Sequence, residues 1–356
     1  MNSERIRSNP KNLNLEDIAR KAGVSRSTVS RVINNEPYVS QRTREKVMAV
    51  VQQENYAPNP AARTLVTRRT RVIGVVIPTS IQLVFEDSAY FPALLQGVVD
   101  VTNTRDYATL LWWGNSEADE QTLYNRILQQ NRLMDGLILA SIRTDDALIA
   151  HLMRMKVPFV TVERPTTYHS EISYVTVDNV EAAENAVKHF IDIGRRRIAT
   201  ITGALNNPDG QDRLLGYRLA LEKAGMPVDE ALIADGQFRY QTGYEMTKGQ
   251  LLPLNPDAIF AASDVMAHGA IQAIHEAGLR VPEDIAVIGF DDLPTAMQSK
   301  PTFSTVHLPV HERGFVAASI LLDLIEGKTQ ETRQVILPTE LVIRESCGTH
   351  LRPVSK

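Results

Sequence analysis

Over the first fifty residues, apolar positions recur at spacings of three and four. Leu15, Ile18, Ala19 and Ala22 mark a short amphipathic helix. Asn14 sits at its entry with Asp17 three residues on, and Gly23 breaks the pattern. Ser25 opens a second helix with Val29, Val32 and Ile33 on one face, and Ser40 a third with Val47, Val50 and Val51. Two short helices around a tight glycine turn, the second polar on its outer face, predict a helix-turn-helix. From Val72 the texture changes. The apolar run Val72-Ile73-Gly74-Val75-Val76-Ile77, ended by Pro78, predicts a strand buried on both faces of a parallel sheet.

Strand-like and helix-like stretches then alternate. Strands are expected at 108–113, 136–140 and 158–163, with helices at 91–104, 119–130 and 148–155. A second series has strands near 174–177, 197–202, 232–235, 258–261 and 285–288. Its helices lie around 181–193, 214–224, 243–252 and 266–277, with Gly194, Gly225 and Gly278 as stop signals. The tail adds strand-like 304–308, helical 311–325 and strand-like 334–337 and 341–343. Such alternation predicts α/β units, and two in series predict two lobes with a ligand cleft beyond the C-terminal strand edges.

Charge separates the two regions. Residues 1–71 carry a net +8 and the remainder −12, within an overall −4. A basic head on an acidic body suits phosphate contact through the head alone. The second helix exposes Arg26, Ser27, Ser30 and Arg31, side chains able to bond base edges or phosphates. Beyond the head, Asn59-Pro60-Ala61-Ala62-Arg63-Thr64-Leu65 is a short, weakly helical, Ala-rich segment beside Arg68, Arg69 and Arg71.

The segments DIARKAGVSRSTVSRVIN, NYAPNPAARTL, VIGVVIP and GFDD together resemble the lactose-repressor (LacI/GalR) family of bacterial transcription regulators, over about residues 13–346. The resemblance implies an N-terminal all-α helix-turn-helix head and a two-lobed, periplasmic-binding-protein-like α/β effector domain. It also implies a homodimer on a pseudo-palindromic operator in double-stranded DNA, a small-molecule effector between the lobes and, by family default, repression. Arg26 and Ser27 match the family's specificity positions and Arg31 a further contact, while Thr28, Ser30 and Asn34 suit phosphates. The segment around Ala62 matches a hinge helix whose leucine, here Leu65, wedges into the minor groove. Of the effector candidates, Tyr90 matches a position that packs on the ligand, Arg213 a hydrogen-bonding arginine and Asp291 an acceptor. Phe238, Ser263 and Asp264 follow or end other strands, Arg164 follows the strand at 159–163, and Trp113 offers an indole face for a sugar ring.

The expected boundaries are a leader at 1–13, the head at 14–58, the hinge at 59–71, the two-lobed domain at 72–346 and a tail. Lobe 1 is placed at 72–173 and 304–335, and lobe 2 at 174–303 and 336–346. Three departures from the family pattern bear on the effector: Leu308 where several members carry glutamine, a long loop at 80–88, and Asn207 and Asp209 where purine-type members place Arg and Thr. The last of these favours a sugar over a purine or nucleoside.

The rival reading is a sugar kinase fused to a DNA-binding head. It requires a phosphate-cradling glycine loop, and the chain has none. No catalytic residues, metal ligands or cofactor are expected. The lone Cys347 reads as structural. Without an apolar signal segment or membrane-length run, a cytoplasmic, nucleoid-associated protein is expected; that and the DNA-binding head argue against a secreted sugar-binding protein of the same fold.

Overall fold

The computed structural model describes residues 13–33, 36–56, 64, 69–80, 89–114 and 120–349, and its two compact units divide between Thr70 and Arg71. Among its described residues the first contains the helices α1 (Leu15–Ala22), α2 (Arg26–Ile33) and α3 (Gln41–Gln53). Their ends follow from local chemistry. The Asn14 side chain accepts from the amides of Glu16 and Asp17, and Asp17 accepts from the Asn14 amide, closing a capping box. Gly23, at φ 58°, takes the left-handed turn that a side chain would strain. Ile18, Ala22, Val29, Val32 and Val47 form the core. Arg44 ties α3 to the end of α2 by donating to the Glu36 carbonyl at 2.7 Å.

Two six-stranded sheets make the second unit. In the first, β1 (Val72–Ser80), β2 (Ala108–Gly114), β3 (Gly136–Leu139), β4 (Phe159–Thr161), β5 (Ser173–Val177) and β11 (Gln334–Leu337) lie in the order β11-β5-β4-β3-β1-β2, all parallel. In the second, β6 (Ile198–Thr202), β7 (Ile233–Asp235), β8 (Ala258–Ala261), β9 (Ala286–Asp291), β10 (Ser304–His307) and β12 (Glu340–Val342) lie in the order β12-β10-β9-β8-β6-β7. Only β12 runs antiparallel among these described strands. Helices α4 (Tyr90–Thr104), α5 (Glu120–Gln129) and α6 (Ala147–Met155) belong to the first lobe. Helices α7 (Asn179–Asp192), α8 (Pro208–Lys223), α9 (Tyr240–Met246), α10 (Asp264–Glu276) and α11 (Pro294–Gln298) belong to the second. The returning α12 (Val310–Glu326) packs along α4 in the first lobe.

The chain passes between the sheets after β5, after β10 and after β11. This corrects two expected lobe boundaries. Residues 174–177 pair with β4 and β11 in the first lobe, and residues 304–307 pair with β9 and β12 in the second. Periodicity locates a strand, but its partner is chosen by packing between distant segments, so apolar runs alone misplace both crossings. Helix α8 also begins six residues before the expected 214. Asn207 caps it by accepting from the Gly210 amide, and Pro208 supplies a first-turn residue with no N–H to satisfy. Arg213 therefore sits in the second turn of a helix rather than at its opening. No helix among the described residues is long and apolar enough to cross a membrane.

Candidate functional site

In the head, α2 carries the residues singled out for DNA. Arg26 and Arg31 are exposed, each in a loose ion pair, with Glu16 at 3.5 Å and with Glu36 at 3.7 Å. Ser27 is exposed, and Thr28 and Ser30 are half-buried. Ser25 organises the helix entry: its hydroxyl accepts from the Thr28 amide at 3.1 Å and lies 2.7 Å from the Ser27 hydroxyl. Val29 and Val32 turn inward, so the polar side chains emerge on one outer face. Asn34, Ala62 and Leu65 lie outside the described residues, as do residues 59–63 and 65–68 of the segment assigned to the hinge and the loop at 81–88.

In the two-lobed unit, the strand ends and helix starts bring together polar and charged side chains separated by up to 223 residues. Arg213 is 3% exposed. Its Nε donates to Asn179 at 2.9 Å and its Nη1 to the Ala262 carbonyl at 2.6 Å, with Asp291 at 3.5 Å. The guanidinium lies 3.6 Å from the centre of the Phe290 ring and 5.7 Å from that of Phe238, both in reach of a cation–π attraction. Phe238 in turn covers Gly203, where a Cβ would collide with the ring. Asp291 closes β9 at φ 119°, a conformation held only where surrounding packing dictates it.

Three further residues complete the cluster, and sequence reasoning missed all three as site residues. Arg313, in the first turn of α12, is fully buried and donates to the Tyr90 hydroxyl at 2.9 Å and to the Val162 carbonyl. Its Nη2 also lies 3.3 Å from Asp209, the acidic residue in the first turn of α8. Asp209 accepts from Asn179 at 3.0 Å through its other oxygen. Glu163, buried just past β4, accepts the amides of Ser141 and Ile142. An arginine in the first turn of a helix whose middle is largely apolar, and a glutamate ending the run Phe159-Val160-Thr161-Val162, were the available signals.

Burial decides the electrostatics. It pushes Glu163 up to about 7, with the Asp209 carboxylate adding to the effect. Burial also lifts Asp291 to about 6, against the pull of Arg213. Asp264 is driven well above the usual carboxylate range by burial and by Asp291. The oxygens of Asp264 accept from Thr305 at 2.5 Å and the Leu293 amide at 2.7 Å, so this residue braces the strand ends. Ser263 likewise caps α10, accepting from the Met266 amide. Tyr90 is raised by burial, and Arg313 is held protonated against burial by Tyr90, Asp209 and Glu163.

The remaining candidates are placed differently. Arg164 is exposed and grips Asp212 of α8 through both carboxylate oxygens, at 3.0 and 3.1 Å. Trp113 is half-buried against the apolar cluster that includes Ile77 and Val98, while Trp112 is buried and donates to the Met134 sulfur. Leu308 is buried in the same apolar cluster. A groove of about 550 Å³ lined by Val281, Met297, Lys300 and Glu345 lies at the N-terminal edge of β9 and β10, away from the cluster. Among the described residues, no group of three or more His, Cys, Asp or Glu is placed to hold a metal ion.

Residues 14–59 match the model of the bacterial regulatory proteins of the lacI family, and residues 187–347 that of a periplasmic binding protein-like domain. The transcriptional regulator CelR of Thermobifida fusca is 39% identical over 335 residues, covering 93% of this chain and 97% of that protein. The chain belongs to the LacI family. It is a helix-turn-helix transcriptional regulator that binds operator DNA. Among solved structures, a CelR–cellobiose complex is similar with a TM-score of 0.74 at 36% identity, covering 94% of this chain and 99% of that one. The lac repressor dimer bound to operator and the anti-inducer ONPF is similar with a TM-score of 0.79 at 27% identity, again over 94% and 99%.

Proposed function

We propose that this family member is a repressor whose operator affinity is set by a neutral sugar held between the two lobes. The observation that carries the reading is the buried pairing of Arg213 with Asp291 at the C-terminal edge of the second sheet, facing Arg313, Tyr90 and Glu163 of the first. Guanidinium donors beside carboxylate acceptors suit sugar hydroxyls, and the half-buried Phe238 ring supplies apolar surface for a sugar face. The cellobiose bound by similar CelR supports the same class.

The protein acts by binding and catalyses no reaction, and it works in the cytoplasm. As a homodimer it presents two heads to a pseudo-palindromic site, Arg26 and Ser27 reading bases and Thr28, Ser30 and Asn34 holding phosphates. Residues 59–71 form the linker, with Ala62 and Leu65 entering the minor groove. Sugar binding changes the angle between the lobes, which respaces the two linkers and alters operator affinity.

The test is operator binding by fluorescence anisotropy, run with and without each sugar that raises the unfolding midpoint. At ~100 times its dissociation constant such a sugar stabilises the native state by roughly 2.7 kcal/mol. Sugars that stabilise the protein yet leave operator affinity unchanged overturn the switch.

A further inference from the structure

The guanidinium of Arg313 has five N–H donors, and the Nε donor has no hydrogen-bond partner although it is buried. Its Nη1 is engaged by Tyr90 and its Nη2 by the Val162 carbonyl. The partner opposite is equally under-used. One oxygen of Asp209 accepts from Asn179, while the other lies 3.3 Å from Arg313 and 3.8 Å from Arg213. Those separations exceed the 2.7–2.9 Å of a full charge-assisted bond. Arg213 and Asp291, at 3.5 Å, are spaced in the same loose way. The cluster therefore holds two arginine–carboxylate couples with hydrogen-bonding capacity left over.

We propose that Arg313 and Asp209 are effector-recognition residues, forming with Arg213 and Asp291 a double site for a ligand that carries two pairs of neighbouring hydroxyls. In each couple one hydroxyl accepts from the guanidinium while its neighbour donates to the carboxylate. A vicinal pair engages the two partners through separate oxygens. An acidic ligand meets Asp209, Asp291 and Glu163 at close quarters. Because Arg313 stands on α12 of the first lobe and Asp209 on α8 of the second, the diol that bridges them holds one lobe to the other. This rests on the effector reading above and adds to it the hydroxyl pattern and the lobe-spanning couple.

The experiment titrates the full-length protein with ribose, cellobiose, glucuronate and hypoxanthine by calorimetry. Any sugar that binds is then titrated against Arg313→Lys and Asp209→Asn. The lysine keeps the cation beside Asp209, so no buried charge is stranded, and a cooperative unfolding transition shows that each variant folds. Expected is binding about 10- to 100-fold weaker in both variants, the loss of one or two charge-assisted bonds. With ribose, 2-deoxyribose should bind the wild type more weakly and lose less on going to a variant. Wild-type affinity in both variants overturns the role of Arg313 and Asp209 and leaves the effector reading standing. Binding of glucuronate or hypoxanthine alone overturns the diol chemistry. No binding by any of the four overturns both.

Discussion

Arg313 Nη2 and Asp209 Oδ2 lie 3.3 Å apart, joining α12 of the first lobe to α8 of the second. Around this buried contact the same helix start makes other grips on the first lobe. Arg164 holds Asp212, the Asn207 side-chain Nδ2 donates to the Ile142 carbonyl at 3.0 Å, and the Thr144 backbone amide donates to the Asn206 carbonyl at 2.9 Å. Residues 206–212 thus form the place where the second lobe is clasped.

The two ion pairs in that clasp should differ sharply in strength. Arg313→Ala leaves Asp209 and Glu163 buried with less compensation and should destabilise the protein by about 3–5 kcal/mol. Arg164→Ala removes a partly exposed pair and should cost at most about 1 kcal/mol. Urea unfolding of the two variants measures both; similar losses would contradict the burial argument.

Helices α4 and α12 approach closely enough to need glycine at two points. A Cβ on Gly97 would overlap the His311 carbonyl, and one on Gly314 the Leu94 carbonyl. Backbone cannot yield as a flexible side chain does. Gly97→Ala and Gly314→Ala should each lower stability by about 1–3 kcal/mol through overpacking. Gly194→Ala strains a left-handed turn with open space around it, so its cost is conformational alone. Thermal unfolding of the three variants separates the two causes.

Glu163 and Asp291 have folded-state pKa values above those of the unfolded chain, about 7 and about 6. The native state therefore binds protons more tightly than the unfolded state between their unfolded and folded pKa values. Their contribution favours folding in mild acid and is lost as pH rises through about 6 to 7. Exposed carboxylates such as Asp284, held low by Arg280, act in the opposite sense. The expected signature is thus a difference: between pH 4.5 and 7.5 the stability of the wild type should fall relative to that of Glu163→Gln. Parallel curves would show that Glu163 does not titrate in this window.

On the head, Arg26 is exposed and holds only a loose ion pair with Glu16 at 3.5 Å. Arg26→Ala should weaken operator binding by about 1–3 kcal/mol and relax preference at one base pair, with little effect on binding to unrelated DNA. Arg20→Ala, at an exposed position on α1, is the control. Equal losses on operator and unrelated DNA would assign Arg26 to phosphate.

Local chemistry in the sequence determined the short-range features of this protein. The capping box at Asn14 and Asp17, the glycine turn at Gly23, the alternating strands and helices, and the strand-end positions of Asp291 and Phe238 follow from residues within a few places of one another. Arg213 was also legible, through the family resemblance. Tertiary structure alone decided which sheet β5 and β10 join, because strand pairing is settled by burial against remote segments. It alone also turned Arg313, Glu163 and Asp209 toward one another, from helix and strand ends up to 150 residues apart. None of the three shows in the sequence which charge it will face. Once the lobes fold, none can be buried without the others, since an isolated charge removed from water is too costly to keep.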